Sequence, residues 1–80
     1  MNTRIFSLVM KNLKQTFNLP KYQGLILDKD SVIDTLPFTP VRKEKFAQNI
    51  MSELDIEFLD LTGTVEEFVK SLDTFYMKRF

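Results

Sequence analysis

The sequence predicts an all-α fold, a small bundle of three main helices and one short helix. Two observations lead there. Apolar residues recur at helical spacing in three separate stretches, with polar residues filling the opposite faces. Turn-forming residues, chiefly proline and glycine, divide these stretches from one another. A strand at residues 25–27 is an open alternative, although no partner strand is evident. With 80 residues, the chain is expected to be a single domain spanning residues 1–80. A chain of this size buries only about two-thirds of its unfolded surface, so its stability should be modest, of order 5 kcal/mol.

Thr3 is placed to cap a first helix that runs to about Phe17. Ile5, Val9, Leu13 and Phe17 recur every fourth residue, with Phe6 and Met10 beside them and Lys11 and Lys14 between the rows. Asn18-Leu19-Pro20 ends it, because the residue before a proline is pushed out of the helical region. A long loop follows, from Leu19 to about Asp30. A loop of that length in so small a domain needs anchors, and Tyr22, Leu25, Ile26 and Leu27 are the candidates. Ser31 to Leu36 predicts one helical turn, with Ser31 capping and Asp34 at the third position. Pro37 stops it.

Thr39-Pro40-Val41 opens the second full helix, which should run to about Glu53. Thr39 is a good N-cap. Pro40 suits the first helical position, where its missing N–H costs nothing. Val41, Phe46, Ala47, Ile50, Met51 and Leu54 are expected on one face, and Arg42, Lys43, Lys45, Gln48, Asn49 and Ser52 on the other. The short apolar segment after Asp55 is broken by Thr62-Gly63. Thr64-Val65-Glu66-Glu67 then reads as a capping box for a last helix from Val65 to about Lys78. Glu66 and Glu67 suit the positive end of its dipole, and Lys78 and Arg79 the negative end. Val65, Phe68, Val69, Leu72, Phe75 and Tyr76 form its apolar stripe.

Composition removes several function classes. There is no cysteine, which rules out disulfides and thiolate metal sites, and no histidine, which removes the usual general base and zinc ligand. Asp55, Glu57 and Asp60 lack the spacing of a calcium loop. A self-contained enzyme is therefore not expected. Formal charge is zero, so no global field favours nucleic acid or a membrane surface. The N-terminal stretch is amphipathic rather than a signal peptide, and no apolar run reaches transmembrane length. A cytoplasmic location is the expectation, with no membrane insertion.

Three segments resemble one known family. Ser31-Val32-Ile33-Asp34-Thr35-Leu36, Leu54-Asp55-Ile56-Glu57-Phe58 and Thr64-Val65-Glu66-Glu67-Phe68-Val69 are similar to conserved-order segments of the acyl carrier proteins. From Ser31 to Phe58 their spacing needs no gap. The resemblance implies an acyl-carrier-like four-helix bundle with a short third helix, and a role in fatty-acid or polyketide biosynthesis. It also implies a serine at the start of the second helix, to which 4′-phosphopantetheine is attached. Pro40 stands at that position and has no hydroxyl. The family's second helix is acidic, whereas here its first turn carries Arg42, Lys43 and Lys45.

These departures define the candidate sites. Thr39-Pro40 reads first as a well-made helix start. Ser31 is the alternative attachment serine, but it lies nine residues before Pro40, and Pro37 and Pro40 would break the helix that must follow it. Val41, Arg42, Lys43 and Lys45 are the candidate partner-binding surface, for an acidic partner or a phosphate. The plainer reading of the same cations is a solvated helix face. The expected function is a carrier-like interaction module without a cofactor. Its expected partner is a biosynthetic enzyme or another carrier protein, not nucleic acid, and a homodimer is a further option. The alternative is a working acyl or aminoacyl carrier modified at Ser31.

Overall fold

The computed structural model describes residues 2–57 and 59–78, with side chains through residue 75. Three α-helices form the frame among these residues: α1 (Thr3–Thr16), α2 (Pro40–Leu54) and α3 (Val65–Lys78). Helix α1 packs against both others. Two single 3-10 turns, Pro20–Tyr22 and Ile33–Thr35, punctuate the long first connection. No described residue lies in a strand, and no described helix is long and apolar enough to cross a membrane.

Helix α1 buries Ile5, Val9 and Leu13, and Phe17 is buried just past its end. The cap differs from expectation. Asn2, not Thr3, holds the cap position, and its carboxamide oxygen accepts from the Arg4 and Ile5 amides at 3.0 and 3.2 Å. Asn2 reaches two amides and also donates to Asp73 Oδ1 at 2.9 Å, which ties this cap to α3. Thr3 is the first helical residue instead.

Helix α2 begins as expected. Thr39 Oγ1 accepts from the Arg42 amide at 3.2 Å, and Pro40 occupies the first helical position. Phe46, Ile50 and Leu54 are buried, with Ala47 and Met51 half-buried. Val41 is not on this face, and 76% of it is exposed. Five residues separate it from Phe46, which is about 140° around a helix. Asp55 ends α2 in the left-handed conformation (φ 52°, ψ 50°).

The segment after Asp55 carries no helical turn at any described residue, so the expected short third helix is not seen among them. The left-handed Asp55 turns the chain out of its helical path, and Gly63 (φ 77°) turns it again before α3. Between them Ile56 is buried, and Leu59 and Leu61 pack separately against the core. Single apolar plugs replace a helical face. Phe58 lies outside the described residues, as do the side chains of Tyr76, Lys78 and Arg79.

The start of α3 organises the connections. The capping box forms, with Thr64 N–H donating to Glu67 Oε1 at 3.0 Å and Glu67 N–H to Thr64 Oγ1 at 3.1 Å. The Val65 and Glu66 amides donate to the carbonyls of Ser31 and Lys29 at 2.8 and 2.9 Å. The four amides from Thr64 to Glu67, which a helix start leaves without intrahelical partners, are all satisfied. In return, Ile33 N–H donates to Gly63 O at 2.9 Å, and Val32 and Thr64 form an isolated antiparallel bridge. The long loop is thus clamped to the last helix.

An aromatic chain anchors the same loop. Tyr22, Phe17, Phe38, Phe46 and Phe68 touch in succession, with ring centroids 5.1, 5.0, 5.5 and 6.4 Å apart. Leu25 and Leu27 pack on the core as expected. Ile26 does not, and 77% of it is exposed. Phe75 also departs from its expected stripe, at 48% exposed, and Leu72 is the last buried residue of α3 among those described.

Candidate functional site

The Thr39-Pro40 junction is an exposed helix start with its polar groups engaged. Pro40 offers no hydroxyl, and the Thr39 hydroxyl is held by the Arg42 amide. Ser31 does not cap the following turn. Val32 occupies the cap position of Ile33–Thr35 and makes no side-chain cap bond. The Ser31 hydroxyl folds back into its own loop, accepting from the Asp28 amide at 3.0 Å and donating to Ile26 O at 3.2 Å. Its residue type suits a loop clasp as well as a helix cap.

The basic residues at the start of α2 take three different roles. Arg42 reaches across to α1, where its Nη1 donates to Thr16 O at 2.7 Å. That carbonyl is one of the orphan acceptors at the α1 C-terminus, and the guanidinium also meets the negative end of that helix dipole. Arg42 is therefore a staple between helices. Lys45 is exposed and lines a groove of about 390 Å³ between the second half of α1 and the first half of α2. Lys43 is exposed but lies off that groove.

The groove gathers Val41 and Lys45 with residues that the sequence did not single out. Asn12, Gln15 and Asn49 contribute carboxamides, and Leu19 contributes an apolar edge. Asn12 is 7% exposed and satisfied, its Nδ2 donating to Leu8 O at 2.8 Å. Its meeting with Asn49 depends on how the two helices cross. Gln15 also borders a second, shallower face of about 620 Å³ on α1, lined by Phe6, Met10, Lys11 and Lys14.

Among the described residues, no group of three histidine, cysteine, aspartate or glutamate side chains is arranged to hold a metal. Asp55, Glu57 and Asp60 are exposed. Glu67 is held ionised below the ordinary glutamate range, first by the Thr64 amide, then by the Thr64 hydroxyl, with Lys70 adding a smaller pull against a small opposing effect of desolvation. This is the signature of a helix cap, not of a catalytic acid.

Comparison with known proteins finds no matching family model, no similar curated protein and no similar solved structure.

Proposed function

We propose that this chain is a carrier-shaped interaction module that holds no phosphopantetheine. The observation that carries the reading is the start of α2. A proline stands where the acyl-carrier resemblance expects the attachment serine, and the neighbouring threonine hydroxyl is engaged as a cap. The order of helix, long loop, helix and capped last helix supports the resemblance. Among the described residues the short third helix that the resemblance implies is not seen, which is a departure from the family's bundle. On this reading the protein is not an enzyme. It acts in the cytoplasm by docking on a biosynthetic enzyme or another carrier protein.

The test is to incubate the purified protein with coenzyme A and a broad-specificity phosphopantetheinyl transferase, then measure intact mass. An unchanged mass is expected. A gain of one phosphopantetheine overturns the reading, and loss of that gain in Ser31→Ala assigns a working carrier instead. Ser31 is poorly set for that role, because its hydroxyl is engaged in the loop and a single 3-10 turn follows it.

A further inference from the structure

Building on the reading of this chain as an interaction module, we infer that the α1–α2 groove receives an acidic, amphipathic peptide segment of a partner protein. Charge is the first argument. Residues 2–27 carry Arg4, Lys11, Lys14 and Lys21 and no aspartate or glutamate, although the whole chain is neutral. Lys45 lines the groove, and Lys11 and Lys14 flank it on α1. None of these three lysines is ion-paired with a described residue; the described pairs join Glu66 to Lys29 and Lys70. Desolvating unpaired lysines against carboxylates steers an acidic partner and fixes its register.

The groove chemistry selects a peptide. Gln15 and Asn49 are exposed and line the groove, and each carboxamide carries both a donor and an acceptor. That pairing matches the N–H and C=O groups of a polypeptide backbone. Leu19 and the exposed Val41 supply an apolar contact at the same site. A phosphate would find less. The Arg42 guanidinium is already engaged with Thr16, the Arg42 amide with Thr39, and Pro40 has no amide to offer. Only the Thr39 and Val41 amides of this helix start are without an acceptor among the described residues, fewer than the run of free amides in a phosphate cradle. Glu53, one turn beyond Asn49, borders two neighbouring hollows but not this groove, whose lining contains no carboxylate.

The test uses the full chain and a fluorescein-labelled peptide of repeating Glu-Glu-Leu, followed by anisotropy and amide NMR. Binding is expected, with shifts concentrated at Gln15, Val41, Lys45 and Asn49, and none for a Lys-Lys-Leu peptide. Lys45→Glu should weaken binding about tenfold or more. Lys70→Glu, the same charge change on α3 outside the groove lining, should leave it within about twofold, with circular dichroism confirming that both variants fold. Absence of binding overturns the inference, as does equal weakening by both variants, which signals unspecific attraction. So does displacement of the peptide by single-stranded DNA or by anionic phospholipid vesicles, which assigns the groove to phosphate. The mass assay reads the missing prosthetic group and this titration reads the groove, so each proposal fails separately.

Discussion

Gly63, Thr64 and Glu67 form the junction whose residues are most constrained. Gly63 has a left-handed φ of 77°, and a Cβ there would meet Glu67 Oε1 at 3.2 Å. Gly63→Ala is expected to lower stability by about 1–2 kcal/mol, from backbone strain and from crowding the carboxylate that caps Thr64. Thr64→Ala removes the hydroxyl partner of the Glu67 amide and should cost about 1 kcal/mol. Urea unfolding at neutral pH measures both. The same box carries a pH dependence. The Thr64 amide keeps Glu67 ionised below its ordinary range in the folded chain, so the unfolded chain takes up the proton first as pH falls. The stabilisation is complete above the ordinary glutamate range and is lost as pH falls through the lowered folded value. Midpoints measured from about pH 7 down to about pH 3 should show Glu67→Gln with a shallower acid slope than the parent.

At the scale of elements, Arg42 shows how a residue's type and its role separate. The sequence offered it as one of three cations on a docking face, and packing made it the C-terminal partner of α1. Arg42→Met, which keeps most of the apolar stem, should lower stability by about 1 kcal/mol, because Thr16 O loses a charged donor at a half-exposed site. Lys43→Met should change it by less than about 0.5 kcal/mol. Thermal melts of the two variants make the comparison. The helices and two of their caps were legible because their signals are local: apolar residues every third or fourth position, Thr39-Pro40, and Thr64 with Glu67. Asn2 was missed because an adjacent threonine is an equally good cap, and only the contact with Asp73 distinguishes them. Ser31 was misread because a hydroxyl serves a loop as well as a helix. The short helix not seen among the described residues and the exposed Val41 and Ile26 reflect tertiary fit, which a residue pattern does not encode. Only part of the groove was visible in the sequence: Val41, Arg42 and Lys45 share a helix turn, while Asn12, Gln15 and Leu19 join them only through the crossing of α1 and α2.

For the whole molecule, the chain of aromatic rings links elements that the backbone does not. It runs from Tyr22 in the loop, through Phe17 and Phe38, to Phe46 on α2 and Phe68 on α3. Phe46 is the interior link, 1% exposed, and it touches rings on both sides. Truncating such a residue removes its buried surface and leaves a cavity, a loss of about 3–5 kcal/mol. Set against a total stability of about 5 kcal/mol for a chain of this length, that loss leaves little folded population. Phe46→Ala is therefore expected to lose most helical circular dichroism and amide dispersion at room temperature, whereas Phe46→Leu keeps both with a lowered melting point. Tyr22 sits at the other end of the chain, half-buried and with one ring neighbour among the described residues. Tyr22→Ala should leave the three helices intact and raise hydrogen exchange only in the loop before residue 30, since the clamp of Lys29, Ser31 and Ile33 onto the start of α3 is independent of that ring. If Tyr22→Ala instead unfolded the chain as completely as Phe46→Ala, the loop would belong to the core's cooperative unit. Stability would then rest on continuity of the rings rather than on the enclosed Phe46 alone.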